Sequence, residues 1–148
     1  MRQRVPMTMN EHTLAPTSPQ LPTISRVLPW LRIGLNGLLV LFLAFDGITK
    51  VVRVAPVIEA CQKMGLGPDT VVGIGLLLLV CTTLYATSRT AILGAILLTG
   101  YLGGAAATHV IAGSGTFPTA FAIGFGVLVW VGMLLREPRL CQWLLRRQ

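Results

Sequence analysis

Four long apolar stretches, at roughly residues 28–47, 70–86, 90–108 and 117–135, fill most of the chain. A bilayer hydrocarbon core about 30 Å thick needs roughly 20 helical residues per crossing. Each stretch is near that length and the connections are short. The pattern predicts an all-α integral membrane protein, a four-helix bundle over residues 27–136.

The first connection has a pattern of its own. Pro56 suits the first turn of a helix and Gly65 its C-terminal stop. Between them Val57, Cys61 and Met64 recur at helical spacing, with Glu59, Gln62 and Lys63 on the other side. A short interfacial helix is therefore expected between spans one and two. The turn Gly67-Pro68-Asp69-Thr70 follows, with Asp69 or Thr70 as the N-cap of span two. The connection around Ala86–Arg89 is so short that spans two and three should form a tight antiparallel hairpin.

Spans three and four are rich in small residues. Gly100 and Gly104 form a GxxxG in span three, and Gly124, Gly126 and Gly132 punctuate span four. Such residues let helix backbones approach closely, within a chain or between copies in a homo-oligomer. Phe117, Phe121 and Phe125 recur every four residues and read as a packing or lipid-facing stripe.

The flanks are polar. Residues 1–26, broken by Pro6, Pro16, Pro19 and Pro22, read as a disordered tail. Residues 137–148, with Trp143 among Arg139, Arg146 and Arg147, read as a basic tail near headgroups. No secretory signal peptide is visible, so the first span is expected to be an uncleaved anchor.

Composition agrees with the pattern. The chain is 53% hydrophobic and only 11% charged, against about 25% charged in a soluble domain. Its mean hydropathy is +0.73. Net charge is +7, but the basic residues flank apolar segments and form no aromatic-interleaved patch, which argues against nucleic acid. One side of the predicted topology carries Arg2, Arg4, Arg26, Arg32, Arg89, Arg136, Arg139, Arg146 and Arg147; the other carries Lys50, Arg53 and Lys63. Nine against three places both termini in the cytoplasm.

Three cysteines, Cys61, Cys81 and Cys141, form no CxxC motif, so neither a thioredoxin-type site nor a zinc site is indicated. Cys61 and Cys141 fall on opposite membrane faces. All three are expected to be free thiols.

Candidate chemistry is confined to one place. Between Arg32 and Asp46 lie only thirteen uncharged residues, about 20 Å of helix, which is short of the bilayer core. Val51 and Val52 after Lys50 suggest that the helix continues past its charges. Asp46 and Lys50 share a face in the favourable i,i+4 order, and pairing is how partly buried charges are tolerated. His109 ends span three on the same side, with Thr49 and Thr108 nearby. Two readings stay open. These residues mark the interface and hold spans one and three together, or they form a polar site at the mouth of the bundle for a quinone head, a carboxylate or a proton. A bis-histidine haem has no second ligand in the spans, and one His with one Asp falls short of a metal site.

Several of these elements together resemble the DoxX-like family of small four-helix bacterial membrane proteins. They are Phe45-Asp46-Gly47-Ile48-Thr49-Lys50, Pro56, Met64-Gly65-Leu66-Gly67-Pro68, and Gly100-Tyr101-Leu102-Gly103-Gly104 through His109. The resemblance covers roughly residues 30–140. Many relatives carry an acid near the start of span two, where this chain reads Gly73-Ile74-Gly75-Leu76-Leu77. The resemblance implies a bundle in the bacterial inner membrane, linked to quinol oxidase and thiosulfate:quinone oxidoreductase systems or to oxidative-stress complexes. The leading expectation is a non-catalytic partner of a redox or stress-related system. A quinone- or lipid-binding oxidoreductase subunit using Asp46, Lys50 and His109 is the alternative. A small transporter is a further one, although no inverted repeat or pair of broken helices supports it.

Overall fold

The computed structural model describes residues 24–136. The expected tails, apart from residues 24–26, lie outside the described residues, as does Cys141. Five helices follow in order: α1 (Ile24–Val51), α2 (Ala55–Lys63), α3 (Pro68–Ala86), α4 (Ala91–Ile111) and α5 (Thr116–Arg136). No strand occurs among the described residues. Four of the helices are long and apolar enough to span a membrane: Pro29–Val51 within α1, then α3, α4 and α5.

Helix α1 runs through its charges. Its spanning part has 23 residues, about 35 Å at 1.5 Å per residue, which suffices for the bilayer core. Asp46 therefore lies five residues, about 7.5 Å, inside the helix end at Val51. The helix stops in a Schellman motif: Arg53 N–H donates to Lys50 O and Val54 N–H to Thr49 O. The turning residue is Arg53, at φ 59°, where a glycine would be free of strain. Two glycines make the same motif elsewhere. Gly65 (φ 81°) ends α2, as its position predicts, and Gly113 (φ 61°) ends α4. Because Gly113 is the stop, α4 extends past the expected residue 108 and places His109 within its last turn.

Helix α3 starts earlier than expected. Gly67 is its N-cap and Pro68 opens the first turn, where the fixed φ of proline is already helical and its missing N–H costs nothing. Asp69 is therefore not the cap. It sits in the first turn and accepts a hydrogen bond from Arg53 Nη2 at 2.7 Å, while its charge complements the helix dipole.

The four spans form a ring in the order α1, α3, α4, α5. α1 packs most extensively on α3 and α4 on α5, while α1 touches α5 less. α1 and α4 are diagonal, and their backbones do not approach each other. The core lies between them and comprises Leu43, Leu78, Cys81, Tyr85, Ala91, Ala95, Leu98, Leu102, Val129 and Met133.

The glycines divide into two groups. At Gly94 a Cβ would lie 2.2 Å from Tyr85 N, at Gly75 2.9 Å from Gly47 O, and at Gly132 2.7 Å from Tyr85 Oη. These are true close approaches. Gly100 and Gly104 are not: nothing lies within 4 Å of a Cβ at either. The GxxxG of span three thus does not bring helices of this chain together.

At the hairpin end, polar groups close the bundle. Tyr85 Oη donates to Asn36 Oδ1 (2.7 Å) and shares its proton with Val129 O (3.2 Å). Asn36 Nδ2 donates to Arg32 O and to Gly132 O. Arg136 caps α3, donating to Tyr85 O at 2.8 Å, Ala86 O at 2.9 Å and Ser88 Oγ at 3.0 Å. The terminal carbonyls of a helix need such partners. This network joins α1, α3 and α5.

Candidate functional site

The opposite end of the bundle, under α2, is not filled. A cavity of about 830 Å³ lies there, lined by α1, α2, α3, α4 and α5 together. Its volume falls in the range of roughly 300–1,000 Å³ typical of ligand pockets. The wall is mostly apolar: Phe42, Val71, Ile74, Leu77, Phe121 and Phe125 are among its residues. Gly100 and Gly104 of α4 also line it, so their missing side chains create volume rather than contact.

All three candidate residues, Asp46, Lys50 and His109, line this cavity. α1 supplies the first two and α4 the third. The backbones of α1 and α4 stay apart, so the three residues meet across the space that the cavity occupies. The cluster is an ion pair and a histidine set around that space.

Packing fixes the ion pair. Gly47 and Gly75 let α1 and α3 approach so closely that a Cβ on Gly75 would fall 2.7 Å from Lys50 Cβ. The Lys50 stem therefore runs against the α3 backbone, and its side chain is only 13% exposed, against 38% for Asp46. Lys50 Nζ donates to Asp46 Oδ2. A buried ammonium needs such a carboxylate, since an unpaired charge in an apolar setting is costly. Of the three ammonium protons, one goes to Asp46. The nearby threonines are already engaged: Thr49 Oγ1 donates to Asp46 O and Thr108 Oγ1 to Gly104 O, each at 2.9 Å.

His109 differs. Its Nδ1 is buried and has no hydrogen-bond partner. Buried polar atoms are nearly always paired, so this nitrogen stands out among the described residues. Tyr101, half-buried, is a further polar residue on the lining. Its place on α4, two turns before His109, is the signal that would have flagged it.

Cys61 of α2 is buried on the same wall. Burial pushes its thiol pKa up, and the Lys50 charge offsets part of that rise. Among the described residues no group of three or more His, Cys, Asp or Glu could hold a metal ion. The aromatic stripe of α5 serves two ends. Phe125 and Phe121 pack on Phe42 of α1, with centroids 4.6 and 5.8 Å apart, and the stripe with Phe117 borders the cavity.

Fold and site together define a polytopic helical membrane protein with a partly open cavity at one end of its bundle. The chain belongs to the DoxX-like family, whose model matches residues 34–132. That range holds Asp46, Lys50, His109 and all four spans in whole or large part. No curated protein and no solved structure matches the chain.

Proposed function

We propose that the protein binds a lipid-soluble molecule with a compact hydrogen-bonding head, of the quinone type, in the cavity under α2. In this reading it is a non-catalytic subunit of a redox or stress-related system in the bacterial inner membrane, with both termini cytoplasmic. One observation carries the proposal: an apolar and aromatic cavity of about 830 Å³ with Asp46, Lys50 and His109 on its wall. An apolar ring and tail fit the phenylalanine and aliphatic lining. A quinone carbonyl accepts hydrogen bonds, and Lys50 has donors beyond the one used by Asp46. A quinol hydroxyl donates, and the partly exposed Asp46 carboxylate can accept it, with His109 beside it on the wall. The exposed edges of Phe42, Phe117 and Phe121 give a membrane-dissolved ligand a lateral way in between α1 and α5, the less tightly packed side of the ring. The quinone-linked systems implied by the family fit the same chemistry.

The test is binding of a short-tailed quinone to the protein in nanodiscs. Lys50→Ala and His109→Ala should each weaken binding by about tenfold, as for loss of one hydrogen bond involving a charged or desolvated group. Thermal unfolding of the His109 variant should stay unchanged. Unaltered binding in both variants would sink the proposal. The subunit role is tested separately: purification in mild detergent should recover a stoichiometric membrane partner, and a solitary protein would count against it.

A further inference from the structure

A second cleft, of about 560 Å³, lies along a different face of α1. Its α1 lining, Arg32, Ile33, Asn36, Gly37, Val40, Leu41 and Ala44, follows the i, i+4 spacing of a single helix face. Ala86 of α3 and Arg136 of α5 complete it at the hairpin end. The groove runs twelve residues from Arg32 to Ala44, about 18 Å. That is close to one leaflet of a roughly 30 Å hydrocarbon core.

Its two ends differ chemically. Arg32 and Arg136 stand at one end, and no acidic residue is among its lining residues. Neither arginine forms an ion pair among the described residues. Arg136 is held in place by the α3 carbonyls, whereas Arg32 is exposed. The other end is apolar, with Val40, Ala44 and Leu41, the last about two-thirds exposed (69%). Asn36 offers no donor to a ligand, since both of its amide hydrogen bonds go to backbone carbonyls. At Gly37, midway along the groove, nothing lies within 4 Å of a Cβ.

We propose that this groove binds one anionic phospholipid of the surrounding bilayer. The phosphate group lies against Arg32 and Arg136, and one acyl chain lies over Gly37 toward Ala44. Charge complementarity selects the headgroup and groove length selects the chain. A zwitterionic lipid offers the same phosphate but carries its own cation beside it, so it neutralises the two guanidinium groups less well. A soluble phosphate would leave the apolar trough empty.

The test uses the full chain reconstituted in vesicles of equal phosphatidylglycerol and phosphatidylcholine, extracted in mild detergent, with retained lipid identified by native mass spectrometry. Wild type should retain phosphatidylglycerol in preference to phosphatidylcholine. Arg32→Gln should cut that preference about fivefold, the factor equivalent to about 1 kcal/mol per basic residue at a membrane surface. Gly37→Leu, which adds apolar bulk where a Cβ meets nothing and changes no charge, should lower retention of both lipids. Arg53→Gln, at the opposite end of α1, should change nothing. Equal retention of the two lipids by wild type would overturn the proposal, as would an unchanged preference in Arg32→Gln. Full retention by Gly37→Leu, or an equal loss in Arg53→Gln, would reduce the effect to diffuse surface charge and overturn it too.

Discussion

The two ends of this bundle are built from the same residue types and reach opposite results. At the hairpin end, Gly94 and Gly132 admit the Tyr85 backbone and ring, and Asn36 and Arg136 bond across three helices. At the α2 end, Gly100 and Gly104 face open space and border a cavity. A small residue in a membrane helix is thus either a place of contact or a place of vacancy. What stands opposite decides which. Opposite Gly94 is the turn into the Thr87–Thr90 connection, which is too short to yield. Opposite Gly104 nothing comes within 4 Å, and the residue borders the cavity.

Alanine substitution separates the two cases most sharply. Gly94→Ala places a methyl 2.2 Å from Tyr85 N and 2.5 Å from Tyr85 Cα. Backbone cannot rotate away as a side chain can, so α3 and α4 must part. The loss should be about 3 kcal/mol or more, at or beyond the upper end of ordinary overpacking. Gly104→Ala meets nothing and should stabilise α4 by up to about 1 kcal/mol, through the helix propensity of alanine over glycine. Thermal unfolding in a fixed detergent checks both. Equal effects at the two positions would remove the distinction between the ends.

Gly75→Ala probes the seam between them. The new methyl would meet Lys50 Cβ at 2.7 Å and Gly47 O at 2.9 Å, so a loss of about 1–3 kcal/mol is expected. Because the clash falls on Lys50, quinone binding should fall along with stability. At the closed end, Tyr85→Phe removes the proton shared by Asn36 Oδ1 and Val129 O. About 1–2 kcal/mol should be lost, the cost of leaving a part-buried acceptor unpaired, with no change in quinone binding. Binding that follows Tyr85 as closely as Gly75 would mean the two ends are one coupled unit.

The sequence pattern shows the spans, α2 with its Pro56 start and Gly65 stop, and the Asp46–Lys50 pair, because each depends on neighbours within a few residues. The ring order does not depend on neighbours, and with it goes the diagonal placement of α1 and α4 that opens the cavity. The closed end was less legible for a similar reason. Asn36, Tyr85 and Arg136 meet only after α1, α3 and α5 assemble, and Arg136 on its own reads as one more basic flank. Yet an asparagine and a tyrosine inside apolar spans are themselves a signal, since polar groups in a bilayer require partners. Gly94 and Gly104 look alike in sequence because a glycine carries no side chain to reveal what stands opposite.

The smallest effect needs no change at either end and compares two native thiols. Cys81 belongs to the packed core, whereas Cys61 lies on the cavity wall, and both are free. In a Cys141→Ser background, a small apolar maleimide should label Cys61 and leave Cys81 untouched in the folded protein. Only the thiolate reacts, and burial raises the Cys61 pKa. At pH 8 its labelling should therefore be slower than that of an exposed cysteine. It should climb roughly tenfold per pH unit and continue to climb past the pH, about 8.5, where a free thiol levels off. A cavity ligand should slow that labelling at every pH by covering the thiol, without moving the pH dependence. Labelling of Cys81 at the same rate would mean that the core between α3 and α4 is as open as the cavity, and the contrast between the two ends would fail.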